Sequence, residues 1–266
     1  MSKIIAFANQ KGGVGKTTSC INVSTYLALL GKKVLMIDLD PQGNATSGVG
    51  IKKNKELDSV YNVLVGDSEL LSAKQKTLVP GLDILPSSLD LAGIEVEMVY
   101  MENRESILAN VLNSARNNYD YITIDCPPSL GLLTINALTS ADSVLIPIQC
   151  EFFALEGLSQ LMNTVRLVKK RLNTRLTIEG VLLTMRDSRS NLGQQVADEI
   201  LKYFTKSVFN TCIARNVRLA ESPSHGMPIY LYDKNCAGAK AYYKLTIELL
   251  DRNKDSYKNI TIKGRK

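Results

Sequence analysis

The sequence predicts an α/β protein with a doubly wound, mostly parallel sheet that carries helices on both faces. Two observations predict it: short apolar runs recur along the chain, and segments with helical spacing separate them. The runs are apolar on successive residues, which is typical of strands buried on both faces. They read IIAFA at 4–8, KVLMID at 33–38, LDILP at 82–86, YITID at 121–125, SVLIPI at 143–148 and IEGVLLTM at 178–185.

Helical patterns lie between these runs. The stretch TTSCINVSTYLALLG follows the first run, and two later segments place apolar residues three and four apart. Those residues are Ile107, Leu108, Val111, Leu112 and Ala115, then Leu155, Leu158, Met162, Val165 and Val168. Since no linker, repeat or low-complexity stretch interrupts the alternation, we expect one domain over 1–250, followed by a tail over 251–266.

Composition indicates an ordinary soluble protein, with 45% hydrophobic and 22% charged residues in 266. No apolar run approaches the roughly 20 residues that span a membrane, and Met1 leads into a strand pattern rather than a signal peptide. A cytoplasmic location is therefore expected. The five cysteines are far apart and form no C-x-x-C pair, which favours free thiols over disulfides or metal ligands.

Positive charge is concentrated at the carboxyl terminus. The net charge is +6, and residues 251–266 hold six Lys or Arg against two Asp, so this segment alone carries +4. Two interpretations stay open: a solvated, flexible tail, or an arm that adds weak attraction to a polyanion.

The stretch NQKGGVGKTT at 9–18 predicts a phosphate-binding loop, because it follows a strand and precedes a helix. Its glycines let backbone N–H groups approach phosphate oxygens. Lys16 can reach the β and γ phosphates, and the Thr17 hydroxyl can coordinate Mg²⁺. Gln10 occupies the first glycine position of the usual pattern, and Lys11 is an additional lysine.

Three carboxylates follow two strand patterns. Asp38 and Asp40 end the second strand, and Asp125 ends the strand YITID. Ligands of open parallel sheets bind outside the carboxyl ends of the strands, so all three should face the glycine-rich loop. For each one alone, capping of the following turn is the alternative.

Several motifs together resemble the ParA/Soj branch of the deviant Walker A ATPases, the ParA/MinD family of P-loop NTPases. They are KGGVGKTT, DLDPQGN, DCPPSLGLLTINAL, IPIQCE and RNVRLAESPSHG. The resemblance extends from about residue 3 to 250 and leaves the tail outside.

The resemblance implies a Mg²⁺-dependent ATPase whose two subunits close face to face over two ATP molecules. Lys11 would reach the phosphates bound by the opposite subunit, while Lys16 serves its own nucleotide; both would be catalytic. Gly12 and Gly13 would lie at the subunit contact. The implied nucleotide-binding residues are Lys11, Gly12, Gly13, Val14, Gly15, Lys16, Thr17, Thr18 and Asn216.

Further roles are carried over from the same resemblance. Thr17 would bind Mg²⁺ directly, Asp38 and Asp125 would hold it through water, and Asp40 would be the catalytic carboxylate that orients the attacking water. Residues 127–129 would sense the γ phosphate, and Gln149 and Glu151 would line the same edge. Ala214 stands where the family usually has proline, beside the retained Asn216.

The resemblance also implies partners. Arg189 and Arg218 match positions that bind double-stranded DNA without sequence preference, and a ParB/Spo0J-type centromere-binding protein with a basic amino terminus would stimulate hydrolysis. The protein would then partition chromosomes or plasmids at the nucleoid, and regulation of replication initiation is a further possibility. The alternatives are a MinD-like membrane-associated ATPase, which the tail disfavours because it lacks a broad apolar face, an iron–sulfur protein, and a ligase acting on a small carboxylate.

Overall fold

The computed structural model describes residues 2–54, 56–151, 154–187, 190–205 and 207–258. Residues outside these ranges include Arg189 and the second half of the predicted tail, 259–266.

A seven-stranded sheet forms the centre of the molecule. Its strands are β1 (Lys3–Phe7), β2 (Val34–Asp38), β3 (Gln75–Lys76), β4 (Leu82–Leu85), β5 (Tyr121–Asp125), β6 (Ser143–Gln149) and β7 (Thr177–Thr184). The spatial order is β3-β4-β2-β5-β1-β6-β7. Every pairing is parallel except that of the short edge strand β3 with β4.

Twelve α-helices connect and cover the strands within the described ranges. They are α1 (Lys16–Leu29), α2 (Asn44–Gly48), α3 (Val60–Val65), α4 (Leu70–Ala73), α5 (Ile94–Met98), α6 (Ile107–Leu112), α7 (Leu132–Ser140), α8 (Ala154–Arg171), α9 (Asn191–Phe204), α10 (Val217–Glu221), α11 (Ile229–Asp233) and α12 (Ala237–Arg252). Short 3₁₀ turns lie at Leu89–Ala92 and Ser222–His225.

The helices bury two separate hydrophobic cores, one on each face of the sheet. On one face α1 and α12 pack on side chains such as Ile5 and Met36. On the other face α7 and α8 cover neighbours such as Ile4 and Ile37. Successive strand residues thus enter opposite cores, which explains why the runs are apolar at every position. The predicted doubly wound α/β fold is confirmed.

All six predicted strands are present. Strand β3 was not predicted, because two polar residues at a sheet edge, one half-buried and one exposed, leave no apolar pattern. The predicted helical spacings fall on α6 and α8, and the helix after the glycine-rich loop is α1.

The predicted domain boundary at 250 needs correction, since α12 continues to Arg252 and the chain beyond it folds back on the sheet. The Tyr121 hydroxyl donates a hydrogen bond to Asp255. The Asn253 side-chain amide donates to Glu179 at 2.8 Å, and the Lys258 N–H donates to the Leu30 carbonyl at 3.0 Å. These hydrogen bonds, together with the packing of Tyr257 against the core, hold 253–258 in place. Residues 259–266 of the predicted tail lie outside the described part.

Candidate functional site

The glycine-rich loop joins the carboxyl end of β1 to the first turn of α1. Gly13 and Gly15 have φ of +74° and +86°, which only glycine adopts without strain. Strands β6 and β7 hold the loop in place: Asn9 donates to the Pro147 carbonyl at 2.7 Å, and Thr184 donates to the Val14 carbonyl at 2.8 Å. The loop is therefore shaped before any ligand arrives.

Lys16 begins α1 and is almost fully buried, with 6% of its surface exposed. Its Nζ donates to the Lys11 carbonyl at 3.0 Å, a contact within the loop itself. Burial lowers the pKa of Lys16, and the nearby Asp125 carboxylate partly opposes that effect. A buried ammonium at a helix amino terminus strongly favours an anionic ligand.

Asp38 and Asp125 lie side by side, because β2 and β5 pair in register at their last residues. Both carboxyl groups are buried. Neither oxygen of Asp125 has a hydrogen-bond partner within the part of the chain that the structure describes. Burial and the Asp38 carboxylate raise the pKa of Asp125 well above its usual range, and the nearby Thr17 hydroxyl and Lys16 ammonium oppose only part of that rise.

Asp38 has a different environment, since its oxygens are already engaged. They accept hydrogen bonds from the Thr46 N–H and hydroxyl, both at 2.7 Å, and from the Asp40 N–H at 3.2 Å. Burial still raises the pKa of Asp38 to about 6. These bonds give Asp38 an evident role in ordering the loop between β2 and α2.

Asp40 lies in that loop and lines the cleft beside Lys16. Its carboxylate accepts from the Gln42 N–H at 2.9 Å, and its backbone carbonyl accepts from the Ser87 hydroxyl at 2.7 Å. The side chain is thus held at a fixed place on the rim while it keeps free lone pairs.

A cleft of about 460 Å³ opens above these groups. Its walls come from six parts of the chain: the glycine-rich loop, the loop after β2, Pro128, the end of β7, the segment from Ile213 to Ala220, and Tyr242. The predicted residues that line it are Gly12, Gly13, Gly15, Lys16, Thr17, Thr18, Asp40 and Asn216. Lys11 and Val14 do not line it, and Val14 is buried behind the loop.

The donor set fits a magnesium ion that is held mainly by a ligand's phosphates. Within the described residues no group of three or more His, Cys, Asp or Glu could hold a metal ion without help. Mg²⁺ commonly keeps waters and uses few protein ligands. The Thr17 hydroxyl and the unpartnered oxygens of Asp125 suit it, the latter through water, whereas Asp38 has less capacity left.

Lys11 lies outside the cleft and is about one third exposed. Its Nζ contacts Glu151 Oε2 at 2.8 Å, and Gln149 donates to the other oxygen of the same carboxylate. The Lys11 ammonium is therefore paired with the segment that follows β6 and does not enter the cleft beneath its own loop.

The cleft includes residues to which the sequence analysis gave no role. Gln42, Asn44, Thr184, Met185 and Tyr242 line it, although Tyr242 comes from α12 near the end of the chain. Gln42 and Asn44 belong to the motif DLDPQGN, and Thr184 ends a strand at the edge where ligands bind, so these three carried a usable signal. The Asn216 side chain caps α10 by accepting from the Leu219 N–H at 3.3 Å, and Ala214 lines the same wall.

Of the two predicted DNA-binding arginines, Arg218 belongs to the described part of the chain. Arg189 lies outside the described residues. Arg218 is exposed on α10 and contacts Glu221 at 3.0 Å and Asp233 at 3.9 Å.

Near the site, Cys126 follows Asp125 as a buried free thiol. Within the described ranges no helix combines the length and apolarity needed to cross a bilayer.

The chain is similar in sequence to several known proteins. A family described as AAA domain matches residues 2–178. The sporulation initiation inhibitor protein Soj of Bacillus subtilis is 58% identical over 94% of this chain and 98% of its own length. The chromosome partitioning protein ParA of Caulobacter vibrioides is 49% identical over 95% and 96%.

Solved structures are similar over nearly the whole chain. A cobyrinic acid a,c-diamide synthase from Mycobacterium smegmatis with bound ADP and magnesium is 35% identical, with a TM-score of 0.85 and 96% of each chain covered. A putative plasmid partition protein from Borrelia burgdorferi bound to AMPPNP is 31% identical, with a TM-score of 0.81 over 95% of this chain and 100% of that one.

Proposed function

We propose that this chain, which belongs to the ParA/Soj family of partitioning ATPases, binds ATP with Mg²⁺ and uses it to form a DNA-binding dimer. One observation carries the proposal. A buried lysine and a buried, unpartnered carboxylate meet beneath a glycine-rich loop, and each is costly unless a ligand compensates it. A magnesium–phosphate ligand compensates both charges at once.

Within one subunit, each residue of the site has a separate role. The loop N–H groups and Lys16 bind the phosphates, Thr17 coordinates Mg²⁺, and Asp125 holds a water of its shell. Bound Mg²⁺ supplies neutralisation of the phosphate charge. Asp40 orients the attacking water, because its carboxylate is fixed on the cleft rim by Gln42.

Dimerisation rests on Lys11. In the single chain its ammonium is paired with Glu151 at the mouth of the site. A partner's ATP offers Lys11 a stronger anion than one carboxylate, so the lysine exchanges Glu151 for the opposite phosphates. Without ATP, Lys11 and Lys16 of facing subunits repel each other, and the dimer opens.

DNA binding then follows from two copies of the same two arginines. Arg189 and Arg218 of both subunits give four phosphate contacts, which predicts a log–log salt slope of about −3.6. Arg218 is exposed but shares its charge with Glu221 and Asp233, so its contact requires those ion pairs to loosen. A ParB-type partner supplies sequence specificity and stimulates hydrolysis, which returns the dimer to free subunits.

A ligase-type enzyme that acts on a carboxylic acid is the second candidate, since the similar structure from Mycobacterium smegmatis is named a cobyrinic acid a,c-diamide synthase. Identity of 58% to Soj against 35% to that protein favours the partitioning function. A MinD-like membrane function is the third, and the basic tail does not favour it.

The test is DNA binding measured with ATP, with ADP and without nucleotide, each with and without anionic liposomes. We expect retention of nonspecific duplex DNA with ATP alone and no liposome binding. Lys16→Ala serves as the control that cannot hold the phosphates. Equal DNA binding in all nucleotide states, or ATP-dependent liposome binding in place of it, would contradict the proposal.

A further inference from the structure

The segment between β4 and α6 exposes apolar side chains on the face that points away from the core. Ile94 and Met98 of α5 are buried, whereas Val96 is 70% exposed and Tyr100 is 88% exposed. Leu89 is 71% exposed in the preceding 3₁₀ turn, and Val99 lies between them. Single exposed apolar residues are ordinary, but Val96, Val99 and Tyr100 are three and four residues apart and so share one helical face, as expected of a binding surface.

Acidic residues surround this apolar stripe. Residues 89–105 contain five acidic side chains and one arginine, giving a net charge of −4 in a chain whose net charge is +6. Asp90 and Glu102 are exposed. Glu97 accepts from the Tyr61 hydroxyl at 3.1 Å, and Arg104 is paired with Glu105 at 3.2 Å, which neutralises the one cation. We name Leu89, Val96, Val99 and Tyr100, with Asp90 and Glu102, the acidic patch.

The acidic patch is connected to the nucleotide site through Glu95. Its carboxylate accepts a hydrogen bond from the Leu133 N–H, at 3.3 Å, in the first turn of α7. The loop from Asp125 to α7 contains Pro128, which lines the cleft, and a Cβ built on Gly12 would lie 4.0 Å from Pro128 Cβ. A ligand that moves α5 therefore acts on the loop that borders the phosphates.

We propose that the acidic patch docks a basic, amphipathic segment of a partner protein and transmits its binding through Glu95 to the Pro128 loop. Charge complementarity selects this occupant. A second copy of the patch, duplex DNA and an anionic lipid surface all bring negative charge against negative charge. The apolar stripe requires apolar anchors as well, with Tyr100 as the largest contact.

The inference rests on the proposed function in one respect: the ParB-type regulator is the partner expected to carry such a basic segment. The proposed function does not say where that regulator binds. The acidic patch is a binding site for it within a single subunit, and it contains neither Lys11 nor Arg218.

The experiment uses the full chain and a fluorescent synthetic peptide of the basic amino-terminal segment of the ParB-type protein from the same genome. A peptide with every Lys and Arg replaced by Glu is the probe control. Val96→Ser with Tyr100→Ser removes the anchors, and Glu102→Lys reverses one charge. Tyr203→Ser and Asp198→Lys, exposed on α9, are the matched controls. Peptide affinity, peptide-stimulated ATPase activity and basal ATP-dependent DNA binding are measured on each.

We expect the double serine variant to bind the basic peptide about tenfold more weakly or worse, and Glu102→Lys to weaken binding and flatten its salt dependence. Basal ATP turnover and DNA binding should stay at the wild-type level in both, as in the α9 controls. Unchanged peptide affinity and stimulation in the patch variants would overturn the inference while leaving the proposed function intact. So would loss of ATP-dependent dimerisation with normal peptide binding, since the patch would then be a subunit contact. If the wild-type chain shows neither ATP-gated DNA binding nor stimulation, the proposed function fails first.

Discussion

Asp125→Asn should stabilise the nucleotide-free protein while removing its response to Mg²⁺. The wild-type carboxylate is buried beside Asp38, and both of its oxygens are without a hydrogen-bond partner in the described structure. Asparagine has nearly the same shape and no charge. The substitution therefore removes an uncompensated buried anion with little change in packing.

The magnitude follows from the cost of burying a charge. That cost is several kcal/mol for an unpaired carboxylate, and attraction to Lys16 offsets part of it, so we expect a gain of about 2 kcal/mol. For a chain of this size each kcal/mol raises Tm by about 2–4 °C, which predicts a rise of about 4–8 °C without nucleotide. With Mg²⁺–ATP at about one hundred times Kd, the wild type gains about 2.7 kcal/mol, and the variant should gain clearly less.

The difference between the two proteins should also depend on pH. The raised pKa of Asp125 means that the folded chain binds more protons than the unfolded chain above the normal carboxyl pKa. The free energy of unfolding of the wild type therefore falls as pH rises through that region, and the variant lacks this contribution. The Tm advantage of Asp125→Asn should accordingly be larger at pH 8 than at pH 5.

Thermal unfolding followed by circular dichroism measures all three quantities, with EDTA, with ATP and EDTA, and with ATP and Mg²⁺. A lower Tm in the nucleotide-free variant would refute the reasoning about the buried charge. An undiminished Mg²⁺–ATP shift would remove Asp125 from the metal site.

Three further substitutions or truncations test other parts of the account. Asp40→Ala should lower ATP turnover by at least about a hundredfold and accumulate as a DNA-bound dimer in gel-shift assays; normal turnover would exclude Asp40 from the mechanism. Arg218→Glu should keep ATPase activity but weaken DNA binding and reduce the salt slope by about two per dimer, whereas an unchanged salt titration would contradict its assignment. A chain that ends at Arg252 should unfold about 5 °C or more below one that ends at Lys258, because Tyr121 and Glu179 lose hydrogen bonds; equal melting temperatures would show that 253–258 contribute nothing.

Much of the fold could be predicted because its strands are buried on both faces. Such strands are apolar throughout, and parallel strands bring their carboxyl ends to one edge, so Asp38 and Asp125 were expected together. The register confirms them as direct neighbours. The edge strand β3 and the packed segment 253–258 could not be found this way, since hydrogen bonds to distant residues hold them and no local apolar pattern marks them.

In the candidate site, too, local features could be predicted from the sequence and contacts between distant residues could not. The glycine-rich loop and Lys16 are local in sequence and were identified from spacing alone. The pairing of Lys11 with Glu151, 140 residues away, depends on the juxtaposition of β1 and β6, as does the anchoring of Val14 by Thr184 on β7. Tyr242 enters the cleft from α12, a helix that no nucleotide motif includes. The roles of Lys11, Asp40 and the DNA-binding arginines stay predictions.

In the proposed dimer, Lys11 serves the nucleotide of the opposite subunit. An assay that mixes two inactive variants can distinguish this from action on its own nucleotide. Lys11→Ala and Asp40→Ala are each assayed alone and then as an equimolar mixture with ATP, Mg²⁺ and DNA. If Lys11 acts across the interface, each mixed dimer holds one complete site, with Asp40 from one subunit and Lys11 from the other. If the subunits are mixed before ATP is added and then pair at random, up to about a quarter of the wild-type ATPase rate is restored. If Lys11 acts on its own nucleotide, no mixed dimer has a complete site, and a mixture as inactive as its components would contradict the account.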